Sequence, residues 1–318
     1  MIATTQSQLC PLCQTDDVRL VKSIPREQLC SEWASDFSID IESQLHDVDQ
    51  IKLFQCNRSS LRFFSPINVA GNSEFYRQLS NFPWYYNPRK WEHDVAIPDI
   101  GPQAKVLEIG CGEGAFVRRL NSEHNISAIG IELNETAARF ARQQGIPVQA
   151  ISVEKMAATH AEQFDVVCAF QVLEHIPNPH RFLSSAIDLL RPGGTLVICV
   201  PNHDSYLQHQ WNLLDMPPHH MTQWTARSLK ALERVFPVKL STVKMEPLAS
   251  YHVRPFVSTY ARHFGRRSLL HKLAFNGLTK LAMRGILYAG VRRFARGQSI
   301  YVEFTKSPTT ESLHRRNR

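Results

Sequence analysis

The sequence predicts an α/β protein in which a parallel sheet is covered by helices on both faces. Between residues 105 and 200, apolar runs of five to seven residues alternate with segments of helical periodicity. The runs are almost continuously apolar, as in strands that are buried on both sides of a sheet. The first run, 105–109, leads directly into glycines at positions 110, 112 and 114, which is typical of a strand that ends at a bound ligand.

The predicted strands and helices follow one another in a regular order. Thr225 is a residue type that caps helix N-termini, and the strand at 299–305 is predicted from its alternating polarity. In chain order we expect a strand at 105–109, a helix at 114–121, a strand at 127–131, a helix at 134–144, strands at 147–152 and 164–170, a helix at 179–190 ended by residues 191–194, a strand at 195–200, a helix from Thr225 to Arg234, and strands at 238–245 and 299–305.

The composition is that of a globular protein. The chain has 318 residues, of which 43% are hydrophobic and 20% are charged, and this length suits one main core with a smaller unit. It contains no apolar run of about 18 residues, the length that a transmembrane helix needs. The N-terminus lacks a secretory signal pattern, and seven irregularly spaced cysteines favour free thiols. We therefore expect a cytoplasmic protein.

Positive charge is concentrated near the C-terminus. Residues 251–318 contain 14 Lys and Arg but only Glu303 and Glu311 as acids. This bias indicates an anionic partner, such as a membrane surface, a phosphorylated substrate or nucleic acid, and a solvated basic face is the alternative. The region 256–296 is expected to form two short helices, because Gly277 and Gly285 weaken a single long one. Their apolar side, with Leu270, Leu273, Leu278 and Leu281, is predicted to pack on the domain as a lid. Their basic side, with Arg266, Arg267, Lys272, Arg292, Arg293 and Arg296, would contact phosphates or an anionic membrane.

Residues 1–70 are predicted to form a separate unit around cysteines. Cys10 and Cys13 have the two-residue spacing of half a zinc site, and Cys56 follows a strand-like segment. These three are the candidate zinc ligands, with Cys30 or His46 as a fourth. Ser59 stands where a second pair would place a cysteine, and serine is a poor zinc ligand, so a site that has lost its metal is the alternative.

An aromatic-rich segment, residues 73–98, precedes the first strand of the predicted parallel sheet. Aromatic clusters are more often core than ligand contacts, but this position also suits a helical cap over the site. The complete predicted division is 1–70, the cap at 71–104, the main domain at 105–250 with 298–306, a basic helical insertion at 251–297 and a disordered tail at 307–318.

The glycine turn and an acid after the next strand indicate a nucleoside-containing cofactor. Glu132 is placed to bind ribose hydroxyls. A dinucleotide and S-adenosylmethionine both remain open on this pattern alone. Glu108, two residues before Gly110, favours S-adenosylmethionine because it can face an amino group. The segments 171–179 and 190–195 have no counterpart in the dinucleotide pattern.

With these residues the chain resembles the class I S-adenosylmethionine-dependent methyltransferases, over 105–250 and the last strand. The resemblance implies a Rossmann-like sheet of seven strands whose last strand is antiparallel and lies beside the sixth. The aromatic run and residues 217–220 are similar to a subset that has a Cys-rich, zinc-ribbon-like N-terminal unit and is linked to sugar and polysaccharide modification. Ser59 departs from that subset, in which a cysteine is usual.

The resemblance also implies the roles of individual residues. The methionine end of the cofactor would be held by the first strand and its turn, the ribose and adenine by the next strand ends, and the sulfonium by the end of the fourth strand. The residues implied, in that order, are Glu108, Gly110, Cys111, Gly112 and Gly114, then Glu132, Leu133 and Glu154, then Gln171 and Val172.

Methyl transfer to a hydroxyl needs a base, and three histidines are the candidates. His220, and after it His219, lie in a proline-bounded loop expected to face the acceptor. His175 follows the fourth strand and is expected to be mainly structural. An unperturbed histidine has a pKa near 6.5, which suits general-base catalysis at neutral pH.

The sequence therefore predicts an O-methyltransferase that acts on a small molecule or a sugar-type acceptor. N-methylation of an amino group and a catalytically inactive scaffold with the same fold are the alternatives. Nucleic-acid methylation is not supported, because the fourth strand leads into residues 171–174, Gln-Val-Leu-Glu, rather than a base-flipping motif. The oligomeric state stays open.

Overall fold

The computed structural model describes residues 8–86, 88–265 and 275–308, and within these ranges the strands form two sheets. The larger one has seven strands in the order β10-β11-β8-β7-β4-β5-β6. These strands are β4 (Lys105–Ile109), β5 (Ser127–Ile131), β6 (Val148–Gln149), β7 (Phe164–Phe170), β8 (Leu190–Pro201), β10 (Val238–Pro247) and β11 (Arg296–Lys306). Strands β4 to β8 pair in parallel, and β11 is antiparallel between β8 and β10. This confirms the predicted α/β class and the inserted last strand.

The second sheet is antiparallel and has the order β1-β2-β3-β9. It consists of β1 (Val18–Pro25), β2 (Gln50–Cys56), β3 (Arg62–Ser65) and β9 (Thr222–Gln223). Strand β9 comes from far along the chain and pairs Thr222 with Phe63. In the same region, the indole N–H of Trp33 donates to the Pro217 carbonyl at 3.1 Å. The N-terminal residues are thus bonded to the loop that precedes β9.

Helices connect the strands, and several of them begin at polar caps. They are α1 (Arg26–Phe37), α2 (Ser73–Leu79), α3 (Trp91–Ala96), α4 (Ala115–Glu123), α5 (Glu135–Gln143), α6 (Val153–His160), α7 (Pro179–Asp188), α8 (Ala226–Lys230), α9 (Val253–Gly265) and α10 (Gly277–Tyr288). The side chains of Asn134, Ser152, Asn178 and Thr225 accept backbone N–H bonds at the starts of α5 to α8. These bonds satisfy donors that a helix end leaves unpaired.

The sheet is buried on both faces, as the continuous apolar strands predict. Val106 and Val166 pack in one core cluster, whereas Leu107 and Val167 pack in the other. Alternate residues of a strand point to opposite faces. The cluster of Leu107 and Val167 also contains Cys10 and Cys56, so these N-terminal cysteines share a core with the central sheet.

Three predicted elements differ from the structure. The third parallel strand is Val148–Gln149 rather than 147–152, because the Ser152 hydroxyl accepts from the Lys155 N–H and starts α6. Residues 191–194 belong to β8 instead of a turn before it. The helix capped by Thr225 ends at Lys230 and continues as a 3-10 turn to Arg234.

The insertion contains the separate helices α9 and α10, as predicted. The prediction that its apolar side packs on the domain is wrong for α10: Leu278 is 77% exposed and Leu281 is 65% exposed. The reason is that α10 packs through Met283 and Leu287, which lie on another face of the helix. Leu270, Leu273, Arg266, Arg267 and Lys272 lie outside the described residues, as does most of the predicted tail. Among the helices described, none is both long and apolar enough to span a bilayer.

Candidate active site

A cavity of about 1770 Å³ opens at the carboxyl ends of the parallel strands. Its lining includes the ends of β4, β5 and β7 and the aromatic segment around Tyr86. Ligands of open α/β sheets bind at this edge. Pockets for a single small molecule are typically about 300–1,000 Å³. The cavity therefore has room for a cofactor and an acceptor together.

The glycine turn is a tight backbone structure that only glycine fits. Gly110, Gly112 and Gly114 have φ values of +70°, +54° and +77°, a region that side chains disfavour. A Cβ at Gly110 would lie 2.5 Å from Cγ2 of Val172, and one at Gly112 would lie 3.0 Å from the ring of Tyr86. The turn therefore presents bare backbone to the cavity beneath the Tyr86 ring.

Glu132 connects the end of β5 to this turn. Its Oε2 accepts from the Gly112 N–H at 2.9 Å, and its Oε1 accepts from the Asn134 N–H at 2.7 Å. Both oxygens keep a second lone pair for a ligand hydroxyl. Leu133, the next residue, lines the cavity with a side chain that is 73% exposed. A carboxylate and an exposed apolar side chain at one strand end suit ribose and a nucleobase.

Glu108 is a buried carboxyl group with an unused oxygen. It is 4% exposed, and its Oε2 has no hydrogen-bond partner among the described residues. Burial raises the pKa of Glu108 to about 8. A buried polar atom without a partner is costly, and an ammonium group in the cavity would relieve that cost. This observation fits the amino-acid end of S-adenosylmethionine.

The remaining predicted cofactor residues lie around the same cavity with different contacts. Gln171 follows β7 with a φ of +56°, a strained conformation for a non-glycine residue, and its side-chain N–H donates to Glu92 at 3.3 Å. Glu154 lies 3.8 Å from the Arg181 guanidinium. The Cys111 thiol is buried against Gly130 in the core, so this residue offers its backbone rather than its sulfur.

The three predicted histidines, His175, His219 and His220, form what we call the histidine cluster. Their ring centroids are 4.5 to 4.8 Å apart. One ring nitrogen of each histidine lies within 4.8 Å of those of the other two. Nδ1 of His175 is 2.8 Å from the His219 carbonyl oxygen, and Nδ1 of His219 is 2.8 Å from that of Leu214. Nδ1 of His220 is 3.2 Å from Oδ1 of Asp215. The cluster lines the cavity together with the cofactor residues.

The histidines do not have the ordinary pKa on which the sequence argument relied. Burial lowers the pKa of His175 to about 4 and that of His219 and His220 well below the usual value. The imidazoles are therefore neutral at physiological pH. Two buried carboxyl groups lie beside them: burial raises the pKa of Glu174 to about 8 and that of Asp215 to about 6.

Several site residues escaped the sequence argument. Tyr86 lies over the glycine turn and its hydroxyl accepts from the Asn134 side chain at 3.2 Å. The Tyr76 hydroxyl donates to the His219 carbonyl oxygen at 3.2 Å. Both tyrosines belong to the aromatic run, which could have signalled them. Glu174 is adjacent to His175 in the sequence, whereas Asp215 lies five residues before His220 and gives no such signal.

The N-terminal thiols converge at a second place. The sulfur atoms of Cys13 and Cys56 are 3.5 Å apart, and that of Cys10 is 3.5 Å from the Ser59 hydroxyl. Cys10, Cys13 and Cys56 can place their sulfurs around one ion, which fits the thiolate preference of zinc. His46 is exposed and Cys30 packs in another cluster, so neither joins them. Bound zinc stays a prediction.

The chain is similar to known methyltransferases over about half its length. A family model described as a methyltransferase domain matches residues 83–234. The ubiquinone biosynthesis O-methyltransferase of Psychrobacter arcticus is 35% identical over 131 residues, which cover 36% of this chain and 51% of that protein. The enzyme of the same name from Azoarcus sp. is 30% identical over 171 residues, 49% of this chain and 71% of that protein. The chain thus spans about half the length of the first of these relatives.

A solved structure with a similar fold is a SAM-dependent methyltransferase from Archaeoglobus fulgidus. It is 20% identical, covers 73% of this chain and 100% of its own, and has a TM-score of 0.49. The family assignment rests on the sequence relatives, on the strand order and on the cofactor-binding edge described above. The chain belongs to the class I S-adenosylmethionine-dependent methyltransferases.

Proposed function

We propose that the protein transfers a methyl group from S-adenosylmethionine to a hydroxyl of a small-molecule or sugar-type acceptor. The observation that carries this proposal is that one cavity contains both the glycine turn with its acids and the histidine cluster. The curated relatives are named O-methyltransferases, which favours oxygen as the acceptor atom.

The acids of the cavity suit the cofactor's chemistry. S-adenosylmethionine supplies a methyl group that is activated by a positively charged sulfur. Glu108 would pair with its ammonium group, Glu132 would hold the ribose hydroxyls and Leu133 would pack on the adenine, with Glu154 near the adenine amine. The protein mainly has to align the acceptor with the methyl group. The acceptor would bind in the remaining part of the cavity, where Gln171 and Val172 would orient it.

The histidine cluster would accept the acceptor's proton. With Nδ1 of His220 beside Asp215, its Nε2 is the ring nitrogen left to receive a hydrogen bond from a hydroxyl. Asp215 would stabilise the imidazolium that forms, offsetting the effect of burial. His219 and His175 are held by backbone carbonyls, so they would position the acceptor beside His220.

We expect His220→Ala to lower kcat by about 100-fold or more, since general-base catalysis typically contributes that much. Its Kd for S-adenosylmethionine should change little, because His220 is not among the proposed cofactor contacts. A product-formation assay with an acceptor that the enzyme methylates would measure kcat, and titration calorimetry would measure Kd. His124→Ala, at an exposed histidine, is the matched control. Equal losses in kcat and cofactor affinity would count against the base role.

Two alternatives are separated by the choice of ligands. An N-methyltransferase would methylate amines, so a panel of sugars, nucleotide sugars, phenols and amines distinguishes it. A non-catalytic scaffold would bind neither S-adenosylmethionine nor its demethylated product well, and calorimetry with both ligands tests this.

Zinc at Cys10, Cys13 and Cys56 is a separate part of the proposal. The three thiols lie close together beside Ser59, and the ion would tie the strand end at Cys56 to the preceding N-terminal turn. Its role would be structural, because the thiols are buried in the core rather than in the cavity.

We also propose that the protein is cytoplasmic and contacts anionic membrane surfaces through α10 and the turn after it. Leu278 and Leu281 are exposed, and Phe294 is 89% exposed beside the exposed Arg293. Apolar side chains with adjacent cations suit the interface of an acidic bilayer.

In liposome sedimentation we expect acidic vesicles to pellet more protein than neutral vesicles, and Phe294→Ser with Leu278→Ser to reduce that excess at least severalfold. Ser replacement of Trp84, another exposed aromatic residue but distant in sequence from α10, is the control. Equal pelleting by both vesicle types would defeat the membrane proposal.

A further inference from the structure

We propose that the histidine cluster is a binding site for a divalent transition-metal ion, distinct from the N-terminal thiols. His175, His219 and His220 each place one ring nitrogen within 4.8 Å of the others. Three histidines are a ligand set that holds zinc while leaving a fourth position open. The open position would face the cavity that the cluster lines.

The partners of the opposite ring nitrogens support this assignment. Metal-binding histidines typically donate their second ring N–H to a carbonyl or carboxylate, which fixes the tautomer and orients the ring. His175 and His219 each have Nδ1 at 2.8 Å from a backbone carbonyl oxygen, and His220 has Nδ1 at 3.2 Å from Asp215. In His219 the nitrogen left with a lone pair is therefore Nε2, and the ion pair with Asp215 favours the same nitrogen in His220.

The charges around the cluster also point to a cation. Glu174 is 2% exposed, its Oε1 lies 3.9 Å from Nε2 of His175, and its Oε2 has no hydrogen-bond partner among the residues that the structure describes. Asp215 is 9% exposed on the other side. The ion pairs that the described residues show for these carboxyl groups are with the histidines themselves, and Lys90 acts on Glu174 at longer range. A divalent ion bound by the histidine cluster would lie near both carboxyl groups and would favour their ionised forms.

The catalytic consequence rests on the proposed methyl transfer. An ion at this site would hold the acceptor oxygen and make its hydroxyl more acidic, as metal ions do for bound water. The hydroxyl proton would then leave to solvent, and His220 would act as a ligand rather than as the proton acceptor. Ion binding itself does not depend on the proposed reaction.

Co²⁺ titration of the full-length protein tests the site by its absorption. Bound to histidines, Co²⁺ gives visible d–d bands, whereas bound to thiolates it adds a charge-transfer band in the near ultraviolet. In a Cys13→Ala/Cys56→Ala variant we expect one equivalent of Co²⁺ to bind with d–d bands and no thiolate band. His175→Gln and His219→Gln, each added to that variant, should weaken Co²⁺ binding more than tenfold. His124→Gln should leave it unchanged.

Asp215→Asn is a milder variant, which we expect to weaken Co²⁺ binding about tenfold, as loss of a ligand's supporting group does. Thermal shift with S-adenosylhomocysteine reports whether each variant is folded. The proposal is overturned if the thiol-depleted protein binds no Co²⁺, or if both histidine variants bind it as tightly as their parent. Methyl transfer that survives chelation at full rate would refute the catalytic role and leave the proposed function intact. Cobalt binding without methylation of any acceptor would support the metal site and refute the proposed function.

Discussion

Glu132→Ala is expected to raise the Kd for S-adenosylmethionine by about 100-fold or more. The carboxylate would accept two ribose hydroxyls, and hydrogen bonds to a charged group contribute about 1.5–3 kcal/mol each. The same oxygens hold the Gly112 and Asn134 N–H groups, so their loss also loosens the glycine turn. Titration calorimetry should show the same loss for S-adenosylhomocysteine, because both ligands contain the ribose.

A matched control for this variant is Glu123→Ala. Glu123 is an exposed acid at the end of α4 whose carboxylate lies 3.8 Å from Arg119. It has no contact with the cavity, so its removal should leave Kd unchanged. An affinity of Glu132→Ala within about threefold of the wild type would remove Glu132 from the cofactor site and with it the main support for the proposed orientation of the ligand.

Glu108→Gln is expected to stabilise the empty protein and to weaken cofactor binding. The pKa of Glu108 is raised by burial to about 8 in the folded state, whereas an unfolded glutamate titrates near 4.3. Between these values the folded state retains a proton that the unfolded state has released, so stability falls as pH rises through this window. Glutamine carries no such cost. We expect the variant to gain roughly 2 kcal/mol or more at pH 8 and almost nothing at pH 4.

Cofactor binding should respond in the opposite direction. An ammonium group pairs with the ionised carboxylate, so the wild-type affinity for S-adenosylmethionine should improve as pH rises towards about 8. Above that pH the ligand's own amino group loses its proton, and the affinity should fall again. In Glu108→Gln we expect the rising limb to vanish and Kd at pH 8 to increase about tenfold or more. Thermal melts and calorimetry across this pH range measure both effects. A variant that keeps the rising limb would show that another group binds the ammonium.

Much of the central sheet follows from the sequence because its strands are continuous apolar runs. The bounds of β4, β5 and β7 coincide with the predicted ones. Strand β6 is shorter than its apolar run, since the capping bond of Ser152 starts a helix there. The exposed side of α10 could not be foreseen, because its periodicity shows that an apolar face exists and not which neighbour covers it.

The site could be predicted as separate parts but not as an arrangement. His175 and His219 are 44 residues apart in the chain, and only the fold brings their rings to 4.6 Å. The same holds for Tyr86 over Gly112. Burial is the second limit, because the pKa values of His220 and Glu108 depend on surroundings that residue spacing does not reveal.

The pairing of β9 with β3 attaches the loop of His219 and His220 to the first seventy residues. Thr222 and Gln223 come directly after the loop of His219 and His220, and they are the strand that completes the N-terminal sheet. The Met221 carbonyl oxygen likewise accepts from the Phe64 N–H at 2.9 Å. Removing residues 1–70 would take away the strand partner of this loop and uncover part of the core that the N-terminal cysteines share with the central sheet. The N-terminal sheet thus holds in place the loop that carries His219 and His220.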